Sequence, residues 1–249
     1  MAYLRFITTL ATCVPYALYA IPRSDYMIAH KDVYSREVRY DFVRSICWRI
    51  RVHASTMVKA YGLENLPKEG GYIMYSNHQG KYDAIGIINT HERPMSVLWE
   101  EKSAARIIAR QVAGLMDSST ISFTDHRSQV KVLSDIARKV QRGERYLIFP
   151  EGGYKDNHNE LQEFKSGCFM CALKSKAPIV PVVLYDSWRS MDTNKWGVVR
   201  VQVHYLEPIP YEEYGKLDRK GVCALMKSRI QDKLTELKKK DPRNQRITK

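Results

Sequence analysis

The chain is poor in cysteine and short of acidic side chains. Five cysteines in 249 residues, Cys13, Cys47, Cys168, Cys171 and Cys223, are odd in number and scattered. That argues against a disulfide framework and suits a reducing compartment. Cys168 and Cys171 form a C-x-x-C in a segment that reads as helix, yet no second Cys pair or His pair stands at zinc spacing. A metal or redox role is therefore not expected of them. Only 27 Asp and Glu oppose 40 Lys and Arg, a formal charge of +13. An excess of that sign calls for an anionic partner, either nucleic acid or an anionic membrane. Residues 216–249 hold 12 Lys or Arg against 4 Asp or Glu, which reads equally as a solvated helical face or as a membrane-attracted tail. Repeats and low-complexity tracts are missing, which argues against a solenoid. The length and the 44% hydrophobic content fit one large domain.

Charge is also missing from Phe6 to Ile21. Those 16 residues fall short of the ~20 that a spanning helix needs, and they include Pro15. A cleaved signal fits poorly: only Arg5 supplies a positive flank, and Leu18 stands where a small residue would precede a cut after Ala20. A re-entrant or interfacial helix fits better. From Ser35 to Ala60, Val38, Phe42, Ile46 and Ile50 recur every four residues, bordered by Arg36, Arg39, Arg44, Arg49 and Arg51. An apolar stripe edged with arginine favours an interfacial helix over a core-packed one with a basic outer face. Residues 1–60 thus read as membrane-associating helices, and 61–249 as a catalytic domain.

Beyond Gly70-Gly71 the pattern alternates. Strands are expected at 71–76, 95–99, 120–123, 146–149, 179–185 and 198–205, and helices at 83–90, 103–115, 129–140, 165–174 and 220–239. This predicts an α/β domain with a mostly covered sheet flanked by helices. Polar or Gly-rich clusters follow three of the strands, where open α/β sheets bind ligands. In the first, Asn77-His78-Gln79-Gly80-Lys81-Tyr82-Asp83, His and Asp are five apart. On one helix they would diverge by about 140°, so they meet only if the chain turns, and Gly80 eases a turn. A met pair gives a base and its orienting carboxylate. A helix-capping Asp83 beside a surface His78 fits the same residues. A phosphate loop at Gly80-Lys81 is excluded, because Tyr75 and Tyr82 stand where Gly and Ser/Thr are required. The second cluster is Ile121–Arg127. The third is Phe149-Pro150-Glu151-Gly152-Gly153-Tyr154-Lys155, whose paired glycines let the backbone approach an anion.

Taken together, these residues resemble the lysophosphatidic-acid acyltransferase family of the glycerolphosphate acyltransferase superfamily. Asn77, His78 and Asp83 match N-H-x-x-x-x-D, and Phe149–Gly152 match F-P-E-G. Phe164-Lys165-Ser166-Gly167 match F-K-x-G, and Pro178–Val182 match the apolar P-I-V-P-V. The resemblance covers residues 60–215, and the four motifs follow in order. It implies a glycerol-3-phosphate acyltransferase-like fold with an N-terminal membrane-binding element. It further implies His78 as general base, Asp83 as its orienter, and direct transfer from acyl-CoA or acyl carrier protein to a lysophospholipid hydroxyl, with no metal or other cofactor. The substrate-binding set it implies is Asn77, Lys102, Arg127, Glu151, Gly152, Gly153 and Lys155. Two departures bear on the acceptor: Gly153-Tyr154 replace the usual Thr-Arg or Thr-Ser, and His126 follows Asp125, so that Arg127 comes one place late. A lysolipid or aminolipid other than lysophosphatidic acid is the alternative acceptor. Nucleic acid is not expected as a partner, because the basic residues flank apolar stripes and are not interleaved with stacking aromatics. The basic flanks place the chain on the cytoplasmic face of the cell membrane.

Overall fold

The valine- and tyrosine-rich runs pair into one seven-stranded sheet in a computed structural model that describes residues 3–245. In chain order the elements are α1 (Leu4–Ala29), α2 (Arg36–His53), β1 (Thr56–Tyr61), β2 (Tyr72–Ser76), α3 (Asp83–Thr90), β3 (Ser96–Glu100), α4 (Glu101–Ala104), α5 (Ala109–Leu115), β4 (Ser119–Ile121), α6 (His126–Gln141), β5 (Arg145–Ile148), α7 (Met170–Ser175), β6 (Ile179–Tyr185), β7 (Val199–Tyr205), α8 (Tyr211–Tyr214), α9 (Arg219–Lys240) and α10 (Pro242–Gln245). The strand order is β1-β7-β6-β2-β5-β3-β4, with β6–β7 antiparallel and every other pair parallel. Alternate residues feed two cores. Ile73, Tyr75, Ile148, Ile179 and Val183 meet the inner faces of α6, α7 and α9. Tyr72, Met74, Leu147, Val180 and Val182 meet α1, α2, α3 and α5. Tyr72–Ser76 and Ile179–Tyr185 are buried throughout, as strands covered on both faces must be.

Three expectations need correction. The helix read from Ser35 to Ala60 ends at His53, and Thr56–Tyr61 forms edge strand β1 beside β7. Ser55, at φ +46°, turns the chain there, and the boundary expected after residue 60 falls inside that strand. Of the predicted stripe on α2, Ile46 is buried, Phe42 and Ile50 are half-buried and Val38 is exposed; the buried face runs instead through Tyr40, Val43, Ile46 and Cys47, and Arg39 is bonded to Leu115 O and Asp117. Val38, Trp48 and Val52 remain about half exposed on its outer side. The helix read over 103–115 is broken at 105–108. Cys168 and Cys171 carry core structure: Cys171 is wholly buried against Tyr75, and burial pushes its thiol up to about 11.

Helix α1 turns much of its apolar surface outward. Arg5, Thr9 and Ser24 are buried along with Cys13, Ala20 and Met27, whereas Leu4, Ile7, Val14 and Leu18 lie between 46% and 74% exposed. Arg5 fans across the carbonyls of Ser190 (2.8 Å), Lys195 (3.1 Å), Gly197 (2.8 Å), Ser55 (3.3 Å) and Ala54. At the far end, Asp25 accepts from Gln111 Nε2 at 3.2 Å, and Ile28 packs on Gly114 so closely that a Cβ there would lie 2.7 Å from it. Its 26 residues, about 39 Å of helix, are therefore fastened to the domain at both ends. A helix held that way lies along the domain, although its 26 residues, longer than the uncharged run alone indicated, are long and apolar enough to cross a membrane.

Two stability predictions follow from these buried groups. Arg5→Ala strands several carbonyls and should lower the unfolding free energy by about 3 kcal/mol, read by urea denaturation. His91 is buried, its Nδ1–H donating to Arg93 O (2.7 Å) while Tyr72 OH donates to its Nε2 (2.7 Å). Burial holds its pKa down at about 3, against 6.5 for a free histidine. Between those values the unfolded chain binds a proton that the native one refuses. Stability present above pH 6.5 should therefore be lost on acidification, by about 1.4 kcal/mol per pH unit. His91→Gln should flatten the profile by that amount; an unchanged slope would refute the assignment.

Candidate active site

The centre of the sheet decides where the site forms. β2 lies between β5 and β6, and all three end at the same edge. Asn77, the first residue beyond β2, is buried and stitches that edge: its Nδ2 donates to Leu184 O (3.0 Å) and its Oδ1 accepts from Leu184 N (2.8 Å). It holds the strand ends together and is not open to substrate. The chain then turns through 78–82 and enters α3 at Asp83, which brings the two predicted residues into contact. His78 Nδ1–H donates to Asp83 Oδ2 at 2.6 Å. The same oxygen accepts the backbone N–H groups of Gln79 and Gly80 (2.9 Å), and Ser187 Oγ–H donates to Oδ1. Every donor around the fully buried Asp83 thus points at a carboxylate. A carboxylate that only accepts fixes Nδ1 as the protonated ring nitrogen and leaves Nε2 as a lone-pair base. Nε2 has no hydrogen-bond partner among the described residues.

Gly80 serves the turn in a way the spacing did not indicate. A Cβ there would lie 2.3 Å from Asp192 Oδ2, so the glycine makes room for a carboxylate. Asp192 accepts from Lys81 N (2.9 Å) and pairs with Lys81 Nζ. Burial opposes the Lys81 charge, but Asp192 outweighs it and holds its pKa above the ordinary lysine value.

The third cluster forms the wall. Phe149 stacks on the His78 ring (centroids 4.5 Å, 26°), and Tyr154 meets it edge-on at 4.8 Å. Glu151 is buried: its Oε1 accepts from His78 N (3.0 Å) and its Oε2 from Gln162 Nε2 (2.6 Å). Burial raises its carboxyl pKa against the pull of those donors. Glu151 therefore splints the first motif to the third. Asn157 adds a second tie, donating to His78 O at 3.0 Å. Gly152 adopts φ +69°, and a Cβ on it would strike Lys165 Nζ at 2.5 Å. Gly153, at φ +157°, has open space beside it.

The cations predicted from sequence lie further out. Lys102 on α4, Arg127 in the first turn of α6 and Lys155 are exposed and make no side-chain hydrogen bond or ion pair among the described residues. The cation set against Gly152 is Lys165, whose Nζ lies 3.7 Å from the Phe123 ring centroid. Lys165 belongs to the F-K-x-G stretch, where spacing alone assigns it no role. Ser187, Asn157 and Gln162 were not singled out at all. For Ser187 a signal existed: Asp186-Ser187 follow β6 as Asn77-His78 follow β2. Among the described residues no group of three His, Cys, Asp or Glu side chains is placed to hold a metal ion.

A buried carboxylate, a histidine whose Nε2 is unengaged and a Gly-rich wall thus share one sheet edge, an arrangement that can serve group transfer with a single base. A sequence profile of the Acyltransferase family matches residues 57–185, more than half of the chain, and the chain belongs to that family. It is 29% identical over 168 residues to 1-acyl-sn-glycerol-3-phosphate acyltransferase alpha of Ovis aries, covering 62% of this chain and 55% of that protein. It is 28% identical over 183 residues to the chloroplastic enzyme BAT2 of Brassica napus, covering 70% of this chain and 51% of that one. The 1-acyl-sn-glycerol-3-phosphate acyltransferase of Salmonella typhimurium is 27% identical over 174 residues, covering 68% and 69%. The chain thus spans about half the length of the first two. The crystal structure of the 1-acyl-sn-glycerophosphate acyltransferase PlsC from Thermotoga maritima shares the fold, with a TM-score of 0.76 over 93% of this chain and 95% of that one at 18% identity.

The geometry separates two roles by substitution. Asp83→Asn turns an amide N–H toward converging donors and should cut kcat by about 10²–10⁴. Ser187→Ala removes one bond to that carboxylate and should cut kcat roughly tenfold with KM unchanged. Steady-state kinetics on both variants checks this; equal losses would contradict it.

Proposed function

We propose that this chain transfers a fatty acyl group from an acyl thioester to the free hydroxyl of 1-acylglycerol-3-phosphate, at a membrane surface. The observation that carries the reading is the His78–Asp83 pair with Nε2 unengaged. In this mechanism the acceptor hydroxyl gives its proton to His78 Nε2 as its oxygen attacks the thioester carbonyl, and Asp83 stabilises the imidazolium. The tetrahedral adduct collapses, the C–S bond breaks, and the leaving sulfur takes the proton back from His78. No covalent acyl-enzyme is required. The acyl donor is acyl-CoA or acyl carrier protein. The acceptor phosphate is assigned to Lys165 beside Gly152, with Lys102, Arg127 and Lys155 on the approach. The relatives' names support the acceptor class, and the exposed apolar residues of α1 support the membrane surface; the cytoplasmic orientation rests on the basic flanks of the N-terminal helices.

A second acceptor is favoured by one observation: Gly153 and Tyr154 stand where the family carries Thr-Arg or Thr-Ser, and Tyr154 packs against the base itself. A lysolipid with a different headgroup is the reading that follows.

Mixed-micelle assays with labelled acyl-CoA and acyl carrier protein, over a panel of lyso acceptors, decide between them. Lysophosphatidic acid should give the highest kcat/KM. His78→Ala should lose about 10²–10⁴ in kcat. Lys165→Ala should raise KM for phosphate-bearing acceptors by roughly 10-fold or more. Preference for another lysolipid would establish the second reading. Absence of transfer with both donors, or full activity in His78→Ala, would end the mechanism.

A further inference from the structure

The break at residues 105–108 exposes a residue that a soluble surface has no use for. Ile107 is 77% exposed, more than any other large apolar side chain among the described residues. Its neighbour Ile108 points the other way, joining Cys13, Tyr16, Ala20 and Ile46 around a small apolar gap between α1 and α2. That reversal is forced by the backbone. Ile108 sits at φ +72°, a left-handed conformation that β-branched residues avoid. It is held there by Gln111, whose Oε1 accepts from Ile108 N at 2.9 Å. Gln111 is itself buried and donates to Asp25 on α1. Gln111 thus links the turn to α1. Arg106 and Arg110 flank the tip, both exposed, with Arg110 3.5 Å from Asp25.

We propose that this turn is a second lipid contact. Ile107 enters the headgroup–acyl boundary of an anionic bilayer, and Arg106 and Arg110 meet lipid phosphates. The proposal rests on the membrane-surface reading of α1 given above. Two features select a bilayer as the occupant. The arginines complement anionic headgroups, as they do in interfacial elements that pair a basic rim with an apolar tip. The turn is also bonded to α1, which exposes Leu4, Ile7, Leu10, Val14 and Leu18.

The test is co-sedimentation of the full chain with vesicles of phosphatidylcholine, alone or mixed with phosphatidylglycerol. Wild type, Ile107→Asp and Leu18→Asp are compared, the last as a reference on α1. Ile107 is exposed, so its replacement should leave the thermal melt unchanged. Ile107→Asp should weaken binding to the mixed vesicles roughly tenfold. A tryptophan placed by Ile107→Trp should be quenched by bromine-labelled lipid. Wild-type affinity in Ile107→Asp, with Leu18→Asp impaired, would overturn this proposal and leave the α1 reading standing. Failure of wild type to bind any vesicle would overturn both.

Discussion

The structure turns on a buried negative charge. Removing a carboxylate from water is costly unless donors replace its hydration. Asp83 receives two backbone N–H groups, a hydroxyl and the His78 ring N–H. It also opens α3, where the helix dipole favours an anion. Much of the local architecture satisfies this one group. The chain folds back over 78–82 so that the amides of 79 and 80 can reach it. The turn after β6 brings in Ser187. What remains unsatisfied is the far nitrogen of His78, and that is where chemistry can occur.

The motifs divide their labour unevenly. Several positions that look like ligand contacts are girders. Asn77 sews β2 to β6, and Glu151 braces the backbone of His78 from β5. Gly80 and Gly152 give way to an incoming Asp192 and Lys165. Rigid support of this kind matters because a base displaced by about 1 Å loses much of its effect. The groups free to meet a substrate are cations at the rim and the His78 ring.

Legibility followed local chemistry. Strands β2, β5 and β6 could be read because covered strands are apolar runs, β7 because Val199, Val201 and Val203 alternate with polar residues, and helices α3, α6 and α9 because amphipathic helices repeat every three to four residues. The His78–Asp83 pair could be read because both partners lie within one short segment. Strand β1 was missed because Met57, Lys59 and Tyr61 carry no apolar run on its open edge, and Val58 and Ala60 extend the α2 pattern. Asn157 lies 79 residues from His78, Ser187 104 from Asp83 and Gln162 11 from Glu151, and no local spacing announces such pairings. The packing of α1 was invisible for a related reason: its buried arginine is satisfied by carbonyls, which every residue has.

The Arg5 bracket also sets an order in time. Its carbonyl partners on the 190–197 segment lie 185 to 192 residues downstream. At about 5–20 residues per second, a ribosome takes roughly 10–40 s to supply them after Arg5 has been made. The far end of α1 has its partners sooner, because Gln111 and Gly114 follow Asp25 and Ile28 by fewer than a hundred residues. The bracket at Arg5 is therefore the last part of α1 to close, and the N-terminal end of the helix waits for the 190–197 segment after the rest has somewhere to pack.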